Sequence, residues 1–132
     1  MVIRGESIVS PDWASKPPFD NNRVVNSTKK VAEGIDAWLA GLGYERDGLY
    51  YRVTKHNDEN IIMTSHAGSS SAAMAHLLNV PFTFFCSAVI TYNTSICIIR
   101  FDGDEGKLIT PKIELLSDAR HIRDIKKNTN FC

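Results

Sequence analysis

The sequence predicts an α/β fold in which helices flank a mostly parallel sheet and a hairpin lies near the C-terminus. Three observations predict it. A short apolar run, residues 61–64, leads through a turn of small residues into an alanine- and leucine-rich segment, which is typical of a strand–turn–helix unit. Residues 24–42 carry apolar side chains at steps of three and four, as an amphipathic helix does. Segments 95–101 and 107–116 are rich in isoleucine and leucine and flank a turn.

The chain divides into two parts by composition. Residues 1–21 contain Pro11, Pro17 and Pro18 without sustained periodicity, and they are predicted to form an N-terminal proline-rich loop segment. Residues 22–132 hold the periodic elements and are predicted to form the folded domain. Its first helix begins near residues 20–22, which are good N-cap types, and ends at Gly43.

The elements that follow are assigned from their patterns. Residues 44–53 are extended around Asp47-Gly48 and favour a small hairpin, and a polar loop precedes the strand at 61–64. After Pro81 we expect extended segments at 82–85 and 88–90. The final pair of strands forms a hairpin near a sheet edge, because Pro111 interrupts it and proline is tolerated at edges.

Composition excludes several classes of protein. The 132 residues carry fifteen basic and fifteen acidic side chains, so no net field attracts nucleic acid or an anionic membrane. No apolar run approaches the roughly 20 residues that span a bilayer, and the start of the chain lacks the apolar core of a signal peptide. Cys86, Cys97 and Cys132 show neither a Cys-x-x-Cys pair nor zinc spacing. We therefore expect a cytoplasmic protein with reduced thiols, and no nucleic-acid or membrane partner.

His66 is the strongest candidate for chemistry. It lies at the predicted turn between a strand and a helix, where open α/β sheets bind ligands. The first N–H groups of that helix lack intrahelical partners, and the helix dipole adds about half a positive charge there. An anion is favoured at this place, with an imidazole beside it. The alternative is a histidine that merely ends a strand, and spacing alone leaves both interpretations open.

Ser65-His66-Ala67-Gly68, followed by a helix that ends in His76-Leu77-Leu78 and a proline-containing turn, resembles the second-histidine motif of the histidine phosphatase superfamily, also called phosphoglycerate-mutase-like. The resemblance runs from about residue 20 to about residue 122. It implies a partial phosphoglycerate-mutase-like three-layer sandwich, with residues 22–132 as the C-terminal part of a histidine phosphatase domain. It implies no metal and no organic cofactor.

The resemblance also implies residue roles. His66 would stabilise the transferring phosphoryl group, and the amides of Ala67 and Gly68 would bind its oxygens. Ala67 replaces the glycine that is usual in the family. The family's nucleophile lies in an Arg-His-Gly motif, and this sequence contains none. Glu6 is the acidic residue nearest to the position of the family's general acid, so it is a candidate for that catalytic role.

The resemblance therefore suggests a histidine phosphatase relative that acts on a small phosphorylated molecule, or binds phosphate, and that is inactive or weakly active alone. The alternative is a non-catalytic anion-binding or protein-interaction domain. In the family, the strand that carries the nucleophile pairs with the strand before the second histidine. Residues 61–64 would lack that neighbour, so we expect an exposed apolar edge and self-association through it. His76, at the end of the helix, is expected to have a structural role.

Overall fold

The computed structural model describes residues 9–20, 23–122 and 129–130. These residues form three α-helices, one short 3₁₀ helix (Trp13–Ser15) and seven short strands. The helices are α1 (Arg23–Leu42), α2 (Ala67–Leu77) and α3 (Phe82–Ala88). The strands are β1 (Tyr44–Asp47), β2 (Tyr50–Val53), β3 (Thr91–Tyr92), β4 (Ile96–Arg100), β5 (Leu108–Ile109), β6 (Lys112–Asp118) and β7 (Thr129–Asn130).

Helix α1 and the hairpin after it form as the sequence predicts. The apolar stripe of α1 buries Leu39, and the helix gives way to Gly43 at φ +102°. A Cβ atom at residue 43 would lie 2.8 Å from the carbonyl oxygen of Lys55, so glycine is required by both conformation and space. Strands β1 and β2 then pair antiparallel around Gly48, which has φ +61°.

The predicted buried strand at residues 61–64 is wrong. These residues form no strand, and Ile61, Ile62 and Met63 are 46%, 94% and 56% exposed. Their composition favours a strand, but a strand needs a neighbour for its backbone N–H and C=O groups. No backbone hydrogen bond joins residues 61–64 to the rest of the described chain. The segment therefore runs along the surface and leads directly into α2.

Residues 82–85 also differ from the expectation of extended chain, because they belong to helix α3. Pro81, with φ −56°, occupies its N-cap position, and the proline ring is compatible with the chain entering a helix. Phe82, Phe85 and Val89 recur at helical spacing and pack with Met74 and Ala75 of α2. Aromatic residues fit a strand equally well by propensity, so packing against α2 decides the structure.

The prediction of a mostly parallel sheet is wrong for the described residues, where every strand pair is antiparallel. Strand β5 extends the β1–β2 hairpin to three strands, and β3 pairs with β7. The C-terminal hairpin is confirmed, since β4 pairs antiparallel with β6 and places Ile99 opposite Ile113. Two strands can pair in parallel only when a crossover connection joins them. Residues 61–64 form no strand, so they take no part in such a pair. The three-layer sandwich that would rest on a parallel sheet is likewise not formed by these strands.

The core consists of two clusters that meet at β4. One joins α1 to the hairpin and to the end of α2, with Leu39, Tyr44, Tyr51, Val53 and Leu77 buried. The other lies between α2 and α3. Ile99 packs against both clusters, so β4 couples them.

In the described part of the N-terminal segment, Trp13 is buried against Phe19 and Phe82, with ring centroids 5.5 and 5.9 Å apart. The predicted boundary at residues 21 and 22 falls outside the described residues. None of the described helices has the length and apolar character that crossing a membrane requires.

Candidate functional site at the start of helix α2

His66 occupies the N-cap position of α2. Its backbone is extended, with φ −94° and ψ 156°, and Ala67 is the first helical residue. The residue is exposed, so its imidazole lies at the surface and not in the core. Its side chain makes no hydrogen bond to the helix that it caps. An imidazole in this setting is accessible to a ligand in solution.

The first turn of α2 presents backbone donors that the helix does not use. The first intrahelical hydrogen bond runs from the N–H of Ser70 to the carbonyl of His66, at 2.9 Å. The N–H groups of Ala67, Gly68 and Ser69 precede it and therefore have no intrahelical acceptor. With the helix dipole, these groups make the place favourable for an anion.

Ala67 and Gly68 are compatible with a ligand at this place. Both lie within the helix, and neither adopts a left-handed φ, so the conformation does not demand glycine at residue 67. A Cβ atom built on Gly68 would meet no heavy atom within 4 Å. The space over the Gly68 backbone is therefore open, and the methyl group of Ala67 costs the helix nothing.

Two serines hold the turn in shape. The hydroxyl of Ser69 donates to the carbonyl of His66 at 3.1 Å, and it lies 2.9 Å from the hydroxyl of Ser65. These contacts link the last residue before His66 to the first turn of the helix. They fix the backbone that carries the imidazole without using the imidazole itself.

Three of the four predicted site residues are consecutive in the sequence and lie at the start of α2. His66, Ala67 and Gly68 are contiguous at the N-terminus of α2, whereas Glu6 lies outside the described residues. No described residue forms an ion pair or hydrogen bond with the His66 ring. Among the residues that the structure describes, no three acidic, histidine or cysteine side chains group together as a metal site would need.

A second cluster of polar side chains, which the sequence analysis missed, lies at the opposite end of α2. Nε2 of His76 lies 2.8 Å from Oδ2 of Asp36 on α1. The hydroxyl of Tyr51 donates to Oδ1 of the same carboxylate at 2.6 Å and accepts from Nη1 of Arg46 at 3.0 Å. Nη2 of Arg46 also donates a hydrogen bond to Oδ1 of Asn79. We call these five residues the Asp36 cluster; it ties α1, the hairpin and α2 together.

The Asp36 cluster shifts the acidity of one member. Burial, and next the hydrogen bond to Asp36, raise the pKa of Tyr51 to about 12, although Arg46 acts in the opposite direction. Tyr51 is fully buried, while His76 and Asp36 keep a quarter of their side chains exposed. The imidazole of His76, which was expected to complement the dipole at the end of α2, instead contacts the Asp36 carboxylate of α1.

His76 also borders an open groove of about 250 Å³ between α1, α2 and the N-terminal segment. Trp13, Val25, Phe82 and Lys29 are among its walls. His66 does not line this groove. The groove and the start of α2 are therefore separate places on the molecule.

Comparison with known proteins adds the family. The family model described as "Histidine phosphatase superfamily (branch 1)" matches residues 12–113, which is most of the chain and includes all of α1, α2 and α3. No curated protein and no solved structure matches the chain significantly.

Proposed function

Since this chain belongs to the histidine phosphatase superfamily, we propose that it binds the phosphate of a small phosphorylated molecule at the N-terminus of α2, beside His66. The free N–H groups of Ala67 and Gly68 would hold phosphate oxygens, and the imidazole of His66 would donate to another. The observation that carries this proposal is the exposed imidazole, which no described residue contacts by a hydrogen bond or ion pair, next to helix amides that have no intrahelical acceptor.

We further propose that this chain alone hydrolyses phosphomonoesters slowly or not at all. Covalent phosphoryl transfer requires a nucleophile, and the sequence has no Arg-His-Gly motif to supply it. Loss of a covalent nucleophile costs a well-studied protease about 10⁶ in kcat. Positioning and electrostatic stabilisation at His66 would remain, and Glu6 is the candidate for the general acid.

The setting that fits this function is the cytoplasm, where small phosphorylated metabolites are abundant. Basic and acidic side chains balance, so nothing in the overall charge favours nucleic acid. Cys97 is a free thiol, as cysteines are in most cytoplasmic proteins. The proposed chemistry uses no metal and no organic cofactor.

A protein-interaction role is the second candidate, and one observation favours it. Ile61, Ile62 and Met63 expose an apolar stretch four residues before Ala67, at the edge of the proposed site. Exposed apolar stretches commonly mark contacts with other proteins. The two functions are compatible, because the imidazole and the apolar stretch are different groups.

Equilibrium dialysis against labelled inorganic phosphate tests the binding proposal. We expect saturable binding that His66→Ala weakens roughly 10- to 150-fold, the equivalent of a lost hydrogen bond to the charged phosphate of about 1.5–3 kcal/mol. The matched control is His56→Ala, which removes another exposed histidine, from the loop before residue 61. Equal affinities for the wild type and both variants would contradict the site.

Turnover of p-nitrophenyl phosphate tests the proposal of inactivity separately. We expect a rate at or near that of the buffer for the wild type. Turnover that is clear in the wild type and disappears in His66→Ala would overturn the proposal of an inactive chain while it supported the site.

A further inference from the structure

We infer that residues 60–64 pair antiparallel with the same residues of a second copy of this chain, about a twofold axis at Ile62. This inference does not rest on the proposed function: the pairing uses the backbone and the apolar side chains before His66 and holds whether or not phosphate binds, although the same register also brings a partner residue next to His66. It names the surface, the partner and the register of a dimer.

The first argument is that the backbone of this segment has no hydrogen-bond partner among the described residues. Residues 60–64 carry no helix, strand or turn, and no backbone hydrogen bond joins them to the rest of the described chain. Their side chains are exposed, and Ile62 is exposed almost completely, at 94%. Isoleucine is among the best strand formers. Such a segment is a template for another strand of the same character.

The second argument is that the segment is held at both ends. On one side, the side-chain amide of Asn57 donates to the carbonyl of Leu42 at 3.0 Å, which fixes the chain against the end of α1. On the other side, His66 caps α2 with an extended backbone. A segment anchored in this way loses less conformational entropy on pairing than a free peptide does.

The third argument is the match that the twofold register produces. With Ile62 opposite Ile62, Ile61 of one copy faces Met63 of the other, so every apolar side chain meets an apolar one. The segment from 60 to 64 carries no charge that would be repelled by its copy. A closed antiparallel pair about a twofold axis also ends at two copies, as most symmetric assemblies do.

The same register brings a carboxylate to the imidazole. Because Ile62 faces Ile62, the residue four positions before Ile62 in one copy faces the residue four positions after it in the other. Asp58 of the partner subunit therefore lies opposite His66. Within its own chain Asp58 contacts Nε2 of His56 through Oδ2, at 2.7 Å, and its Oδ1 remains able to accept from the partner. The carboxylate of one copy can therefore accept a hydrogen bond from the imidazole of the other. A carboxylate on one ring nitrogen orients the imidazole and leaves its other nitrogen for a ligand.

Sedimentation velocity over a concentration series tests the dimer. We expect a monomer–dimer equilibrium in the wild type, because a two-strand contact is smaller than a standard interface and associates weakly. Ile62→Lys places two ammonium groups opposite each other and should shift the chain to monomer. Ile90→Lys is the matched control: Ile90 is 52% exposed, lies elsewhere, and its change should leave the equilibrium intact.

Disulfide formation tests the register. Ile62→Cys should form a symmetric disulfide under mild oxidation, since directly opposed residues in antiparallel strands have Cα atoms within bonding range, and peptide mapping separates this link from the native cysteines. Ile61→Cys alone should not self-link, but it should link to Met63→Cys when the two proteins are mixed. A monomer at all concentrations, a dimer that is unchanged in Ile62→Lys, or self-linking of Ile61→Cys instead of Ile62→Cys would overturn the inference.

Discussion

At the scale of single residues, Tyr51 is among the largest fully buried side chains that the structure describes. Its ring is fully buried, and the charged guanidinium of Arg46 lies 5.0 Å from the ring centroid. Its hydroxyl connects Arg46 to Asp36, which also holds His76. Buried polar groups that lose a partner cost about 1–3 kcal/mol each. The Asp36 cluster therefore stabilises the joint between α1, the hairpin and α2.

The first residue-scale prediction concerns the Tyr51 proton. The folded chain raises the pKa of Tyr51 to about 12, and in the unfolded chain the pKa is near ~10. Because the native state holds this proton more tightly, the group contributes its stability below pH ~10 and loses it as the pH rises toward 12. Ultraviolet absorbance titration should show one tyrosine that ionises after the others.

The control for this titration is Tyr51→Phe. It should remove the last step of the titration and leave the earlier steps in place. It should also lower the free energy of unfolding by about 1–3 kcal/mol, because Asp36 and Arg46 lose their shared partner. If the last step persists in Tyr51→Phe, the cluster does not control the acidity as described.

At the scale of elements, the sequence predicts those parts whose signals are local. The 3.6-residue spacing of apolar side chains is enough to place α1, and Gly43 and Gly48 mark turns that only glycine enters easily. The predictions of extended structure for residues 61–64 and 82–85 are wrong for another reason. Whether an apolar run becomes a strand or a helix depends on a neighbour from elsewhere in the chain, and composition does not contain that information.

The candidate site also has parts with local sequence signals and parts that depend on distant residues. A local strand–turn–helix pattern predicted His66 at the start of a helix, and the family resemblance added Ala67 and Gly68; helix α2 begins at Ala67, directly after His66. The strand that the same pattern predicted at residues 61–64 is not formed. The contact of His76 with Asp36 was missed because the two residues are 40 positions apart, and only the packing of α1 on α2 brings them together.

The element-scale prediction uses a pair of glycines on or next to α1. Gly43→Ala should destabilise the chain by about 2 kcal/mol or more, because a side chain is strained at φ +102° and its Cβ would press on the Lys55 carbonyl. Gly34→Ala should stabilise it by about 0.5–1 kcal/mol, since Gly34 lies mid-helix with no heavy atom within 4 Å of an added Cβ. Urea unfolding measures both.

The opposite signs make this pair informative. Each change adds one methyl group, so their difference isolates the conformation at the end of α1 from the added apolar surface. Equal effects of the two substitutions would show that Gly43 does not form the turn into β1 in the way described.

At the scale of the whole molecule, the chain belongs to a known superfamily and also exposes a run of apolar side chains just before the candidate site. The two core clusters are coupled through Ile99, and they support α2 and with it the position of His66. Immediately before His66, however, the apolar residues lie on the surface. The proposed phosphate site and the proposed dimer contact are therefore neighbours, and each can be measured without the other.

The most direct test of the central claim is a titration of the isotopically labelled protein with inorganic phosphate, followed by nuclear magnetic resonance of the backbone amides. We predict that the largest shifts fall on Ala67, Gly68 and Ser69, and that His66→Ala reduces them while His56→Ala does not. Shifts centred on the groove around Trp13 and Lys29, or none at the start of α2, would contradict the claim that phosphate binds beside His66.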